Sequence, residues 1–435
     1  MCEYPCCISY TLVLHGAQSE RMGAGMAEHI TKSIIDIKEW RQYGFNVVPA
    51  VMGMTLVAVH AYALGVMIEP LETEFGWSRA EISAGPLVTS VVALVLAVLG
   101  GKLVDRLGPR TVALFGVPFY AIALSMIALA GPNLMSWLAL YALLAVALVS
   151  VYPSVWTSAI AQRFKANRGI AMAIVLSGTG IASTVVPYLG ATLIEAYGWR
   201  GAYVGMGLLS FIVVFPLVVL MFARDTLPSD GAQQVPVSDA AMNRSELLSP
   251  KFLRLAVAGV IYSLGATGIG INAVPILMEE GFSLIAAAEV AGFIGLGTIT
   301  GRILGGLLLD HIDGRFVAIG CALGAMCAAV ILLATDQSAF AASMACLLLG
   351  FTAGAEYDAC AYLTSRHFSQ RHFAALFGLL GGLFGFTSGI APFIANALYG
   401  IFASYDGILM AVVPLFCIAS ALFLSLGRYP ESSPV

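Results

Sequence analysis

The sequence has few charged residues. Asp, Glu, Lys and Arg make up 11% of its 435 residues, whereas a typical soluble domain carries roughly 25%. Since 59% of the residues are apolar, the charges are too few to cover the surface of a soluble protein of this length. A soluble enzyme, a nucleic-acid-binding protein and a disordered scaffold are therefore excluded as starting assumptions.

The sequence also lacks the short motifs of the common enzyme classes. It contains no HExxH histidine pair, no GxxxxGK[ST] phosphate loop and no GxSxG nucleophile elbow. Its later cysteines lie in apolar runs, without the spacing of metal ligands. We expect a protein that is not an enzyme and that uses neither a metal nor a cofactor.

Long apolar runs are what the sequence has instead. Twelve runs of about 18 to 26 residues are each long enough to cross roughly 30 Å of hydrocarbon as a helix. None alternates polar and apolar residues as a membrane strand does. We predict an all-α membrane protein with twelve transmembrane helices, whose spans are residues 45–69, 83–104, 111–131, 134–160, 170–194, 201–223, 255–278, 285–309, 316–335, 339–363, 374–400 and 407–427.

The basic residues are distributed unevenly around these spans. With a cytoplasmic N-terminus, 18 of the 21 Lys and Arg residues lie on the cytoplasmic side, Arg79 and Arg200 lie on the other side, and Arg302 lies within a span. This asymmetry predicts a multi-pass protein of the cell membrane with both termini in the cytoplasm. Residues 1–44 form the predicted cytoplasmic leader, and Met22 and Met26 leave open that the leader is a start-codon artefact.

A polar stretch divides the twelve spans into six and six. A shift of 205 residues superposes Pro70 on Pro275 and Asp105 on Asp310, so the two halves resemble copies of one six-helix unit. Two such bundles can rock about a central site and expose it to each side in turn. The predicted parts are an N-terminal bundle (45–223), a central cytoplasmic loop (224–254), a C-terminal bundle (255–427) and a cytoplasmic tail (428–435).

One loop carries a family resemblance. Residues 101–110, G-K-L-V-D-R-L-G-P-R, resemble the signature G-x-L-x-D-R-x-G-x-[RK] between helices 2 and 3 of the major facilitator superfamily, and residues 306–315 are a weaker echo of it. The resemblance covers residues 45–427. It implies two six-helix bundles that transport a substrate by alternating access.

Within that superfamily, the chain resembles the monocarboxylate-transporter-like branch. Arg302, in Gly301-Arg302-Ile-Leu-Gly-Gly, matches the helix-8 arginine that receives the substrate carboxylate in that family. Thr298 stands where the family has an acidic residue, and the helix-1 lysine of animal members has no counterpart. The departures put the proton path in doubt but not the anion site. The branch's pattern at the start of helix 5 is approximated by Phe164, Arg168, Ala171 and Gly178.

Three ionisable residues share a depth near the middle of the membrane. Arg302 and Asp358 lie about 12 Å, and Glu356 about 15 Å, from the cytoplasmic ends of their helices. A guanidinium holds a carboxylate through paired hydrogen bonds, and a neighbouring acid can neutralise it in the empty site and take up a proton when substrate arrives. The alternative is a permanent structural ion pair. Residues 356 and 358 point about 200° apart, so at most one faces the cavity squarely, and depth favours Asp358.

Further substrate contacts are predicted within the helices. The imidazole of His60 can accept a proton or donate to substrate, with a packed core histidine as the alternative. Three side chains could contact the anion or could simply pack, namely Tyr152, Tyr262 and Asn272.

A second set of charges lies in the cytoplasmic loops. The resemblance implies that they hold the outward-facing state as a gate, and a solvated positive-inside face is the alternative. These predicted gating residues are Asp105, Arg106, Arg110, Arg163, Asp310 and Arg366.

The expected activity is proton-coupled uptake of a small organic monocarboxylate. Its partners are the anion, a proton and the lipid bilayer, without nucleic acid, and a monomer is expected to suffice. Efflux of organic anions or drugs is the alternative, although the glycine-proline pattern of antiporters is only half present around Pro187. A non-transporting membrane sensor is a remoter alternative, because the tail after Leu426 is short for an output segment.

Overall fold

The computed structural model describes residues 37–222, 247–335, 337–369 and 372–429, and all regular structure in these ranges is helical. In hydrocarbon each peptide group must find its partner within its own segment, which selects helices. The predictions for residues 1–36, most of the central loop and the end of the tail lie outside the described residues. The helices are α1 (Ile37–Tyr43), α2 (Val47–Phe75), α3 (Arg79–Leu107), α4 (Pro109–Met126), α5 (Leu134–Val149), α6 (Pro153–Arg163), α7 (Arg168–Leu176), α8 (Gly178–Met221), α9 (Pro250–Ile271), α10 (Ala273–Glu279), α11 (Leu284–His311), α12 (Gly314–Leu333), α13 (Ala339–His367), α14 (Phe373–Phe402) and α15 (Asp406–Leu424).

These helices make twelve passes. Eleven segments are long and apolar enough to cross a membrane, and the longest of them, Arg168–Met221, contains two passes. A straight helix of the length of α8 would measure about 66 Å, twice the thickness of the hydrocarbon core. The chain instead turns at Gly198, whose φ of 70° and ψ of 173° are not helical. The prediction of an all-α membrane protein with twelve transmembrane helices is confirmed.

Two passes are interrupted within their length. Between α5 and α6 the helix stops before Pro153, which occupies the first position of α6 and has no N–H to continue the ladder. Between α9 and α10 it stops at Asn272. Tyr152 and Asn272, two of the predicted substrate contacts, therefore lie at breaks, where side chains leave the regular helical spacing.

The helices form two bundles, α1–α8 and α9–α15. Across the boundary, α8 packs on α11 and α3 packs on α14. Within the second bundle, α11 and α13 lie in close contact because Gly301 and Gly354 have no side chains. A Cβ on Gly301 would collide with the carbonyl oxygen of Phe351, and one on Gly354 with that of Thr298. This contact places the middle of α11 against the middle of α13.

Twelve passes bring both described ends of the chain to one side, here called the tail side. There the Glu39 carboxylate of α1 accepts hydrogen bonds from the backbone N–H groups of Ala166 and Asn167 at 3.2 and 2.8 Å. The N–H of Gly314 donates to the hydroxyl of Tyr429 at 2.7 Å. The opposite side, which contains Gly76 and Gly198, is called the far side.

Candidate substrate site

Arg302 and Asp358 meet between α11 and α13. An Nη of Arg302 donates to Oδ1 of Asp358 at 3.1 Å, and the side chains are 9% and 27% exposed. The Nε of Arg302 is buried without a hydrogen-bond partner. A guanidinium has five N–H donors, and an unpaired one in a buried place is costly. The pair can therefore bind a further acceptor, and a carboxylate has the matching fork.

Glu356 faces away from this pair. Its side chain is 4% exposed, and its Oε1 accepts from the thiol of Cys360 at 3.1 Å. A Cβ on Gly259 of α9 would lie 3.4 Å from the same oxygen. The helical spacing predicted that residues 356 and 358 diverge, and the structure places Asp358 beside Arg302 and Glu356 in the interior of the second bundle.

An aromatic cluster begins beside the guanidinium. The Cζ atom of Arg302 lies 5.7 Å from the ring centroid of Tyr357, within the range of a cation–π contact. Tyr357 contacts Phe377 and Phe384 edge to face, with ring centroids 5.5 and 6.1 Å away. From the first bundle, the hydroxyl of Tyr152 reaches to 4.0 Å from where a Cβ on Gly385 would lie. Arg302 thus lies at the edge of an aromatic cluster of the second bundle.

The other predicted substrate contacts lie elsewhere. Tyr262 is 2% exposed and donates to the hydroxyl of Thr352 at 2.9 Å, which places it in the packed interior of the second bundle. His60 is half-buried, and its Nδ1 has no hydrogen-bond partner. Asn272 is fully buried in a polar cluster on the far side. Among the described residues, no three His, Cys, Asp or Glu side chains are close enough together to hold a metal ion.

That polar cluster, here called the far-side seal, consists of Ser83, Asn272, Asn396 and Tyr405. Nδ2 of Asn396 donates to Ser83 Oγ at 2.7 Å and to Asn272 Oδ1 at 2.8 Å. The hydroxyl of Tyr405 donates to Asn396 Oδ1 at 2.7 Å. All four residues are at most 1% exposed. Since Ser83 belongs to the first bundle and the other three to the second, the seal joins the bundles.

Arg79 covers the seal. Its Cζ lies 4.0 Å from the ring centroid of Tyr399 and 5.3 Å from that of Tyr405, both in the second bundle. Its Nε is paired with Glu72 of its own bundle at 3.1 Å. The guanidinium of Arg79 is thus paired within the first bundle, and its planar face is covered by rings of the second bundle.

The predicted gating charges on the tail side make contacts within their own bundles. Arg110 donates to the carbonyl oxygens of Val219 and Phe222, and Arg163 donates to that of Ala159. Arg366 lies over the rings of Tyr362 and Tyr429, 6.0 and 5.2 Å away. Asp105, Arg106 and Asp310 are exposed. Their gating role remains a prediction, since it concerns the state in which this side is closed.

The sequence reasoning did not identify the far-side seal. Asn272 was predicted as a substrate contact, and Ser83, Tyr399 and Tyr405 were not singled out. One available signal was Arg79, which is one of only two basic residues on the predicted extracellular side. The aromatic partners of Arg79, Tyr399 and Tyr405, are more than 300 positions away in the sequence, so the hydropathy pattern could not find them.

Comparison with known proteins agrees with the fold. Residues 50–372 and 255–435 match the family model of the Major Facilitator Superfamily. The gallate transporter of Pseudomonas putida is 26% identical over 337 residues, which are 67% of this chain and 73% of that protein. Monocarboxylate transporter 13 of Rattus norvegicus is 26% identical over 266 residues, 59% of each chain. Both relatives are named as transporters, in agreement with the expectation that this protein is not an enzyme.

A solved structure also shares the fold. The bacterial homologue of the human lysosomal transporter Spinster, in an inward-facing and unoccupied conformation, superposes with a TM-score of 0.66 at 16% identity. The match covers 89% of this chain and 99% of the other. The resemblance predicted from residues 101–110 is confirmed at the level of the superfamily.

Proposed function

Because the chain belongs to the major facilitator superfamily, we propose that it is a secondary active transporter that takes up a small organic monocarboxylate with a proton. The observation that carries the proposal is the ion pair of Arg302 with Asp358, whose predicted depth is near the middle of the membrane. The Nε of the arginine is buried and has no hydrogen-bond partner. Ionisable groups at such a depth are costly and are usually kept for function.

The Arg302–Asp358 pair can couple the binding of an anion to the uptake of a proton. An incoming carboxylate takes the donors of Arg302, and Asp358 then loses its counter-charge. A proton on Asp358 restores neutrality, so the loaded site carries the same net charge as the empty one. The anion and the proton therefore enter and leave together. Glu356, whose Oε1 accepts a hydrogen bond from the thiol of Cys360, is a second candidate for the proton.

The surrounding rings favour a planar aromatic acid among the possible substrates. Tyr357, Phe377 and Phe384 can pack against an aromatic ring whose carboxylate lies on Arg302. The hydroxyl of Tyr152 approaches Gly385, the residue after Phe384, from the first bundle. The relative named as a gallate transporter supports this preference, since gallate is an aromatic carboxylate.

The positive-inside asymmetry assigns the tail side to the cytoplasm. The far-side seal then closes the extracellular entrance of a protein in the cell membrane, and the arrangement is inward-facing. In the opposite state, the charged loops around Asp105 and Asp310 are expected to meet across the bundles. The two bundles of one chain enclose the proposed site, so a monomer is expected to be sufficient for transport.

Uptake by purified protein in vesicles tests the anion site. We expect Arg302→Lys, which keeps the charge and loses the fork, to abolish saturable uptake of benzoate and gallate. Arg315→Lys is the matched control, because Arg315 is a buried arginine of the same bundle that pairs with Asp313 away from the site. Wild-type uptake by the Arg302 variant would show that the Arg302–Asp358 pair is only structural.

A second measurement tests the coupling. With Asp358→Asn, an imposed proton gradient is expected to stop driving accumulation, while counterflow of labelled substrate survives. Glu356→Gln in the same assay decides between the two acids. If both variants still accumulate substrate against its gradient, the proton does not travel on either residue. Accumulation only when the gradient is reversed would instead favour efflux.

A further inference from the structure

The chain beyond α15 folds back onto the tail side of the second bundle. It turns at Gly427, whose φ is 73°, and the preceding Leu426 is 2% exposed. Arg254 of α9 donates to the carbonyl oxygen of Ser425 at 3.0 Å. Residues 425–429, here called the tail clasp, are therefore attached to the bundle rather than extended into solvent.

Tyr429, the last residue of the tail clasp, lies where α12 begins and α13 ends. Its hydroxyl accepts a hydrogen bond from the N–H of Gly314 at 2.7 Å, and this N–H has no acceptor within its own helix. A Cβ on Gly314 would lie 3.2 Å from the hydroxyl oxygen and 2.8 Å from the ring of Tyr362 on α13. The rings of Tyr429 and Tyr362 contact each other, with centroids 6.2 Å apart. Tyr429 thus joins the start of α12 to the end of α13.

The tail clasp also holds Arg366, one of the predicted gating charges. The Cζ of Arg366 lies 5.2 Å from the ring centroid of Tyr429 and 6.0 Å from that of Tyr362, both within the range of a cation–π contact. Across the described ranges, Arg366 is exposed and makes no hydrogen bond or ion pair. A carboxylate of the other bundle would therefore have to draw the guanidinium away from these rings.

A buried imidazole opposes the closed tail clasp. His367 is 9% exposed, and both of its ring nitrogens are buried without a hydrogen-bond partner. Its ring centroid lies 5.2 Å from that of Tyr429 and 6.5 Å from that of Phe368. An unpaired buried donor or acceptor costs free energy, which water would return if the tyrosine moved away. The attractive contacts of the clasp are thus offset in part, as a contact that opens during a conformational cycle requires.

We propose that the tail clasp is an autoinhibitory contact on the gate. While Tyr429 is seated on α12 and α13, it keeps Arg366 in its own bundle and favours the open tail side. When the tyrosine leaves, Arg366 can reach the first bundle and water can reach His367, so the tail side closes more readily. The inference rests on the proposed alternating access and on the gating role predicted for Arg366, and it is independent of which anion is transported.

Chemical labelling of the full chain tests whether Tyr429 covers His367. Diethyl pyrocarbonate modifies imidazole nitrogens that water can reach, and peptide mass spectrometry measures the rate at each histidine. Relative to the exposed His311, we expect the rate at His367 to rise about 5-fold or more in Tyr429→Ala, and less in Tyr429→Phe, which keeps the ring. Tyr197→Ala is the matched control, because Tyr197 is a 74% exposed tyrosine on the far side. Equal labelling of His367 in wild type and Tyr429→Ala would contradict the clasp.

Hydrogen–deuterium exchange without substrate tests the restraint on the gate. In Tyr429→Ala, peptides from residues 101–110 are expected to exchange about 2- to 5-fold more slowly, the factor that one exposed cation–π contact contributes, and peptides around Ser83 faster. The shift should disappear when Tyr429→Ala is introduced into Arg366→Gln, because the restrained charge is then absent.

Faster labelling of His367 in Tyr429→Ala with unchanged exchange would overturn the proposal, and so would a shift that persists in the double variant. Neither measurement contains substrate, so a failure of benzoate uptake would count against the proposed substrate alone.

Discussion

The two sides of the boundary between the bundles are held by different chemistry. On the far side, neutral side chains close the boundary, with the buried amide of Asn396 bonded to Ser83, Asn272 and Tyr405. On the tail side, charged residues such as Asp105 and Asp310 are exposed. Neutral groups can be buried at little cost once each is hydrogen-bonded, whereas charges require close pairing. On the far side, the hydrogen bond from Asn396 to Ser83 therefore joins the two bundles without burying a charge.

The largest expected effect comes from breaking the seal at its centre. Asn396→Leu keeps the volume but removes the partners of three buried polar groups, each of which costs about 1–3 kcal/mol when left unpaired. We expect the population to shift toward an open far side. Hydrogen–deuterium exchange should then become faster in α3 near Ser83 and slower in the tail-side loops.

The control for this variant is Asn133→Leu, because Asn133 caps α5 in a loop away from the boundary. Unchanged exchange near Ser83 in Asn396→Leu would show that the hydrogen bonds of the seal do not hold the bundles together.

A smaller effect is expected from the cation above the seal. Arg79→Lys keeps the charge but loses the planar face over Tyr399, which is worth about 0.5–2 kcal/mol. Faster exchange is expected on the far side of both bundles, measured on the same peptides.

Arg200→Lys provides the comparison for Arg79. Arg200 is also a far-side arginine that lies over an aromatic ring, Trp199 at 4.3 Å, and pairs with Glu74. All three belong to the first bundle, so the substitution should leave the boundary unchanged. Equal effects of the two substitutions would contradict a sealing role for Arg79.

On the tail side, Asp105→Asn separates stability from transport. Since Asp105 is exposed in this state, the free energy of unfolding should change by no more than about 0.5 kcal/mol, as measured by thermal melting. The initial rate of uptake should fall severalfold, because the state with a closed tail side loses a charge contact. Full transport activity would show that Asp105 belongs to a solvated face rather than to a gate.

The smallest effect concerns a charge that stays within one bundle. Burial opposes ionisation of Asp313, but hydrogen bonds from Arg315 outweigh it and lower the pKa of Asp313 to about 2. Its stabilising contribution is complete above the unfolded-state pKa of about 3.9 and is lost as the pH falls toward 2.

Asp313→Asn should therefore lower the free energy of unfolding by less than about 1 kcal/mol, measured as a small drop in the melting temperature. The drop should be the same at every pH between about 5 and 8. The difference from wild type should shrink below about pH 4. A difference that grew on acidification would contradict this assignment.

Much of the fold could be predicted from sequence because hydropathy adds up along the chain. The twelve passes and the break between passes five and six followed from run lengths and from the polar groups around Gly198. The divergence of Glu356 and Asp358 followed from the helical repeat alone. The contacts of these two residues could not be predicted in this way, because they depend on how α13 is rotated against α11 and α9.

The candidate site was predicted in part. Arg302 was identified by its charge within an apolar run, and its pairing with Asp358 agrees with the depth argument. Tyr262 and Asn272 were chosen as polar residues within spans, but the structure uses both in buried hydrogen bonds. A single sequence does not distinguish a polar side chain that faces a cavity from one that bonds to another helix.

By itself, the sequence determined that this protein resides in a lipid bilayer, how many times the chain crosses it, and where its few charges lie along the crossing helices. These properties depend on the free energy of transferring each segment into lipid, which is local to the segment. Only the tertiary structure decided that Asp358 pairs with Arg302 and that Asn396 joins the two bundles on the far side. Each of these depends on contacts between helices distant in sequence, whose rotation and approach are set by packing at positions such as Gly301 and Gly354.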